Sequence, residues 1–347
     1  MRYNIFELKK EDFEEWDSFV KENKLPIFHT ISWKKILEET FNFKPVYYIV
    51  KDKDGQIVGV SPAFICKTFL KKIIVSMPFF EYGGPFVKKG YKEAYKDIFE
   101  RYKEYADKGK VDHIKIRSLP FEEDYQDINF KKELEAYDFY MDIEGRSFED
   151  IWNSFSKDQG VRTEVNKAKR KGVIVKTENS PDVLHKLLTM KDARLGSPSF
   201  SKRFYLNIEK YLKDNTNYIT SYINKTPIAS MISLRFQDEL MLHQLGSDPE
   251  YFKKTSTDIL FIEQIRYAIE NNLKKVDFGR SKPNSSHSFF KKKYNCKKRD
   301  IYVYSYPLDF SEQRYEGRNF GQKIIKKIPW VFTRTFLGNW LRKNVGL

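Results

Sequence analysis

Two cysteines, Cys66 and Cys296, are all that the 347 residues contain, and neither belongs to a CxxC pair. That scarcity argues against a zinc site and against a disulfide framework, and it fits a reducing compartment. Long apolar runs are also missing, with no stretch near the ~20 residues that a bilayer-spanning helix needs. Met1-Arg2-Tyr3-Asn4 leads into acidic sequence of helical character, not into an apolar signal segment. No zinc-finger or RNP-type nucleic-acid motif is present. These absences predict a cytoplasmic protein with no metal or prosthetic group.

What is present belongs to a folded chain. Hydrophobic residues make up 40% and aromatics 16%, which excludes a disordered polymer. The 63 Lys and Arg outnumber 48 Asp and Glu, a formal charge of +15. Such an excess suits an anionic partner (nucleic acid, a phosphorylated co-substrate or an acidic lipid surface), and it equally suits a lysine-rich solubility surface.

Periodicity and turn residues divide the chain into two similar halves. In the first, helices are expected over 11–22, 32–41 with Ser32 as N-cap, and 92–108, with strands at 46–50, 57–64, 73–75 and 113–117. Asp52-Lys53-Asp54-Gly55 reads as a hairpin turn. The second half has expected helices over 148–155, 161–171, 182–195, 202–213 and 256–271. A meander of strands over 218–223, 227–236 and 239–245 is joined by strands at 173–175, 275–278 and 301–306. Two α+β lobes follow, 1–145 and 146–310, each a mostly antiparallel mixed sheet flanked by helices. Residues 311–347 form a basic amphipathic tail with eight Lys/Arg against Glu312 and Glu316.

The most informative stretch runs from Val276 to Asn295. A strand carries Asp277 and Gly279-Arg280 to its carboxyl end, a polar loop follows, and Phe290-Lys291 opens an aromatic and basic turn. Residues 282–299 hold seven Lys/Arg and no acid. Such a field would hold phosphates or steady an oxyanion; the plain alternative is a solvated basic loop. This segment is similar to the C-terminal signature of the FemAB-like aminoacyltransferases and the related BioF2-like acetyltransferase domains. The resemblance extends to Ile151-Trp152, Gly160-Val161-Arg162, Lys171-Gly172-Val173 and Arg194-Leu195-Gly196-Ser197-Pro198. In the first lobe it takes in Ser32-Trp33, Val58-Gly59-Val60, and Ser76-Met77-Pro78-Phe79 through Tyr82-Gly83-Gly84-Pro85. Tyr294-Asn295 departs from the Trp-Gly usual in the family, and the glycine that commonly precedes the Phe-Lys step is missing.

The resemblance implies two GNAT-type domains and transfer of an activated acyl group to an amine. In the better-known branch the donor is aminoacyl-tRNA and the acceptor a lipid-carried peptidoglycan precursor. It makes Phe290 a substrate contact and Lys291 the cation that steadies the developing negative charge. Arg280 and Arg162 would hold anionic parts of a substrate, and Tyr82, Gly83 and Gly84 would form an acceptor wall. For the proton, the candidates are His243 in a strand bordering the cleft, His287 in the signature loop, and Asp277. Structural roles are open for all three. GNAT enzymes that use acyl-CoA cradle its pyrophosphate in a glycine-rich loop opening a helix. The equivalent connection here offers Lys253, Lys254, Thr255 and Ser256 but no glycine.

The basic run over 157–176, seven bases against two acids, would suit a phosphate backbone or lipid head group; a solvated helix face is the alternative. Residues 321–347, with Trp330 and Trp340 among basic residues, would rest on an anionic membrane, peripheral to its inner face. The competing reading is a helix docked on the second lobe. The expected function is an N-acyltransferase drawing on aminoacyl-tRNA or acyl-CoA and acting on an amine of a cell-envelope precursor. The alternatives are an acyl-CoA-dependent acyltransferase of amino sugars in a surface polysaccharide, and a non-catalytic membrane-associated binding module.

Overall fold

The computed structural model describes residues 2–68, 71–121, 125–155, 160–251, 257–308, 332 and 336–345. The chain forms two compact units. One holds the residues up to Tyr137 together with Arg299 and the strand that follows; the other holds Asp138–Lys298 and the C-terminal helix. The division falls inside a strand, Lys131–Asp142, ahead of the expected boundary near 145.

In the first unit, β1 (Tyr3–Glu7), α1 (Phe13–Glu22), α2 (Ile31–Phe41), β2 (Lys44–Pro45), β3 (Tyr48–Asp52), β4 (Ile57–Ser61), β5 (Phe64–Lys67), β6 (Lys72–Val75), β7 (Phe86–Val87), α3 (Ala94–Asp107) and β8 (His113–Arg117) follow one another. One sheet runs β1-β3-β4-β7, its β3–β4 hairpin closed at Gly55 with φ +80°. The other runs β2-β5-β6-β8 and is extended by the last described strand, Lys297–Tyr306. The expected strand 57–64 divides into β4 and β5. Helix α3 shows why these residues pack: Tyr95, Ile98, Phe99 and Tyr102 recur at helical spacing and all are buried. Helix α2 begins one step earlier than expected. Thr30, in extended conformation, accepts from the Trp33 amide at 3.3 Å and is the N-cap in place of Ser32.

Strand β9 (Lys131–Asp142) leads into the second unit. There α4 (Phe148–Ser154), α5 (Val161–Arg170), β10 (Ile174–Thr177), α6 (Pro181–Leu195), α7 (Lys202–Leu212), β11 (Thr216–Ile223), β12 (Thr226–Phe236), β13 (Glu239–Ser247), α8 (Asp258–Glu270), β14 (Lys275–Ser281) and α9 (Ser286–Lys292) precede β15 (Lys297–Tyr306). The sheet order is β10-β11-β12-β13-β14, antiparallel except for the parallel pair β13–β14. The helices take opposite faces. Ser233 of β12 donates to Gln264 of α8 at 3.0 Å. Ser230, cross-strand from Gly246 and three residues from Ser233, faces the other side, where α6 lies.

The C-terminal helix α10 (Phe336–Val345) is docked on the second unit. Asn339 Oδ1 accepts from the Ser201 amide at 3.0 Å, and Arg342 donates to Pro198 O at 2.7 Å while its guanidinium lies 4.1 Å above the Phe200 ring. These bonds hold the described part of the tail, 336–345, on the second unit. Trp340 is exposed in it, and most of 321–335 lies outside the described residues.

Gly246 sets how closely α6 approaches β13. A β-carbon there would stand 2.3 Å from Leu188 N and 2.7 Å from Leu187 C, both backbone atoms of α6. Gly246→Ala is therefore expected to cost about 1–3 kcal/mol through overpacking. A urea midpoint unchanged from that of the parent would refute this account of the contact.

Candidate functional site

The parallel pair β13–β14 stays in register for three residues only, Glu239↔Lys275, Leu240↔Val276 and Met241↔Asp277. Beyond this point β13 continues to Ser247 and β14 to Ser281, so the two strands diverge and leave a wedge. Local chemistry causes the divergence on both sides. On β13 the cross-strand pairs step from Ser233↔Leu242 to Ile232↔Gln244, which makes His243 the extra residue of a β-bulge that bends the strand. On β14 the buried Asp277 carboxylate accepts from the amide of Gly279 at 2.6 Å, and Gly279 adopts φ +71°. A residue with a β-carbon is strained there.

Two ammonium groups sit on the walls of the wedge. Lys291, from α9, donates to Gly279 O at 2.7 Å and Arg280 O at 3.0 Å on β14. Lys191, from α6, donates to Leu245 O at 2.7 Å on β13. Its own carboxylate neighbour, Asp192, is 3.8 Å away. Burial pushes Lys191 below its ordinary pKa, Asp192 pulls it up, and Arg342 and Arg194 push it down further. His287 in the first turn of α9 lies below its ordinary value of 6.5 because of partial burial, then Lys291, then Lys191. It is the exposed one of the five histidines. On the β13 side Tyr205 donates to Gln244 Oε1 at 2.6 Å, and His185 bonds Phe200 O at 3.1 Å, which fixes the 196–201 loop beside Lys191.

A second cluster closes the base. Phe290 packs at 5.1 Å from Phe261 and 5.4 Å from Tyr294, with Phe278 also against Tyr294 at 5.2 Å. The buried Tyr294 hydroxyl donates to Asp258, the first residue of α8, whose carboxylate also pairs with Lys293 at 2.6 Å. Burial, and then Asp258, drive the Tyr294 pKa well up, which keeps it a hydrogen-bond donor. The N-terminus of α8 thus already faces a carboxylate.

The expected site residues therefore fare differently. Lys291 meets the Gly279 and Arg280 carbonyls at the end of β14, Asp277 holds the Gly279 turn there, and His287 lies one turn before Lys291 on α9, where Lys291 and Lys191 act on its charge. Phe290 is used in the aromatic packing beneath it. His243 is at the bulge, and burial lowers its pKa to about 3, so its imidazole is a poor proton acceptor. Arg162 stacks over Trp152 at 5.5 Å in the first turn of α5. Tyr82, Gly83 and Gly84 are buried in the first unit and form no exposed wall. A β-carbon on Gly84 would meet Arg117 O at 2.2 Å and one on Gly83 would meet Met77 Cβ at 2.7 Å, so close packing, not a ligand, requires glycine at both. Lys253, Lys254, Thr255 and Ser256 lie outside the described residues. Lys191 was not foreseen. Its signal was a lysine continuing the apolar stripe Leu184, Leu187, Leu188 of α6.

Residues 156–292 match the family model described as an acetyltransferase (GNAT) domain. The matched residues lie within the second unit and make up less than half of the chain. Among solved structures, FemX is similar with a TM-score of 0.62 at 14% identity, over 86% of this chain and 96% of that one. L-PGS from Bacillus licheniformis gives 0.55 at 15% identity over 92% and 97%. A tandem GNAT protein from the clavulanic acid biosynthesis pathway gives 0.58 at 10% identity over 87% and 98%. No curated protein matches the chain by sequence. At these identities the likeness is one of fold, and it fits two GNAT-like α+β lobes. Among the described residues no group of three or more His, Cys, Asp or Glu is arranged to hold a metal, and no helix is long and apolar enough to cross a membrane.

Tyr294→Phe removes one donor from the buried Asp258 carboxylate and should lower stability by about 1–3 kcal/mol. Equal urea midpoints for variant and parent would show that the hydroxyl does not support that carboxylate.

Proposed function

We propose that the chain is an N-acyltransferase that moves an aminoacyl group from aminoacyl-tRNA to an amine of a cell-envelope precursor. The observation that carries this reading is the wedge with Lys291 fixed on β14 by two carbonyls, in a domain of the GNAT acyltransferase type. An ammonium held in place needs no rearrangement as charge develops on the donor's carbonyl oxygen, which is the condition for electrostatic stabilisation of an oxyanion.

The reaction would run as follows. The acceptor amine attacks the ester carbonyl, a C–N bond forms, and the oxygen gains negative charge beside Lys291. The amine proton passes to the neutral imidazole of His287. The C–O bond to the donor then breaks, and the leaving hydroxyl takes up a proton. Asp277 supports the geometry through the Gly279 turn.

The donor preference rests on Asp258. Its carboxylate at the first turn of α8, tied to Lys293 and Tyr294, places negative charge where a CoA pyrophosphate would need helix amides. The absence of glycine over 252–258 points the same way. A second reading, acyl-CoA-dependent acylation of amino sugars in a surface polysaccharide, is favoured by the acetyltransferase description of the domain. Attachment to an anionic membrane surface through 321–347, on the cytoplasmic side, would bring the enzyme to a lipid-carried acceptor.

Incubation with labelled aminoacyl-tRNA and, separately, labelled acyl-CoA should show transfer from the first. Turnover only with acyl-CoA would install the second reading, and turnover with neither would leave a binding module. Lys291→Met should lower kcat about 10²–10³-fold while the protein stays folded. A loss below threefold would remove the oxyanion role.

The pH profile follows from His287. Its pKa lies below 6.5, so the basic form predominates at neutral pH and kcat/KM should fall only as pH drops through a midpoint under 6.5. His287→Gln should abolish that acid limb; a limb that persists would assign the proton to another group.

A further inference from the structure

One oxyanion needs one well-placed cation, and Lys291 supplies it. The wedge holds a second buried-side ammonium that the acyl-transfer step does not use. Lys191 sits on the opposite strand, bonded to Leu245 O at 2.7 Å, with its side chain 26% exposed and so within reach of a ligand. Arg342 and Arg194 act on it against a single acid, Asp192, whose carboxylate pairs with it at 3.8 Å. Backbone carbonyls satisfy the donors of an ammonium without cancelling its charge. Two guanidinium groups and one carboxylate leave a net positive field around this partly desolvated ammonium, which a bound anion would offset.

We infer that the wedge takes a substrate bearing a resident anionic group, a carboxylate or a phosphate, held by Lys191 from β13 opposite Lys291 on β14. Arg342, brought to the same region by α10 through its bonds to Pro198 and Phe200, adds to the field, so the C-terminal helix contributes to substrate choice. A transient oxyanion would not call for this arrangement, because its charge exists only while the carbonyl is tetrahedral. A group charged before and after reaction would, and Lys191 then sets affinity for the substrate more than the rate of its conversion. The inference takes the wedge as the acyl-transfer site proposed above, but its test requires no turnover.

His287 reports on the site, since Lys191 and Lys291 both act on it and the other four histidines are buried or half-buried. Its imidazole protons are followed by NMR titration of the full chain in chloride, in inorganic phosphate and in malonate. An anion seated between the lysines should raise the His287 pKa by roughly half to one pH unit. Lys191→Met should remove most of that rise, and Lys191→Arg should keep it. A larger response to phosphate identifies a phosphate-bearing substrate, and a larger response to malonate a carboxylate. If neither anion moves His287 in the parent protein, or if Lys191→Met responds as fully as the parent, the inference is overturned. Absence of transfer in the donor assays, with the anion response intact, would instead remove the acyl-transfer reading and leave the anion site standing.

Discussion

The second unit depends on two strands parting. Parallel neighbours in a sheet gain a hydrogen bond at every step, so β13 and β14 separate only where something removes the incentive to pair. The Asp277 carboxylate does so on one side by taking the Gly279 amide for itself, and the bulge at His243 does so on the other. The polar backbone groups released in this way must be satisfied by other donors. Lys291 and Lys191 meet part of that need, at Gly279, Arg280 and Leu245. The same event that opens the wedge thus recruits the cations that make it chemically useful.

How far the sequence revealed this differs from element to element. The meander over 216–247 and the helices α3, α5, α6 and α8 follow apolar periodicities, and these were legible. Strand β9 was not, because its first half, Lys131-Lys132-Glu133-Leu134, is charged and exposed and carries no alternation. Strand β1 was hidden for a similar reason, with only Ile5 buried among its five residues. Helix α9 reads as a loop in sequence, since Ser286-His287-Ser288 is polar. Its Ser285 cap, accepting from the Ser288 amide at 3.2 Å, was readable only once a helix was suspected.

The candidate site was legible in its motif and illegible in its partners. Asp277, Gly279 and Lys291 lie within fifteen residues, and their order carried the resemblance. Lys191 lies far away in the chain and reaches the wedge because Gly246 lets α6 rest on the backbone of β13. A contact of that kind is a tertiary event with no local pattern beyond a lysine in an apolar stripe. Gly83 and Gly84 show the converse: a conspicuous local pattern, two adjacent glycines in an aromatic loop, whose cause is close packing inside the first unit.

The net charge of +15 separates into cations that carry information and cations that do not. Lys167, Lys169, Arg170 and Lys171 on and just after α5 are exposed opposite the buried Val161, Val165 and Ala168, as expected of any amphipathic helix in water. Solvent screens such charges within about 10 Å at ordinary ionic strength, so they select little beyond a generally anionic partner. Lys191 and Lys291 are few, but they are partly desolvated and fixed in direction by backbone carbonyls. An interaction with a ligand there is weakened less by solvent and depends on angle. On the reading proposed above, specificity for an anionic substrate would reside in two lysines that composition cannot distinguish from the rest.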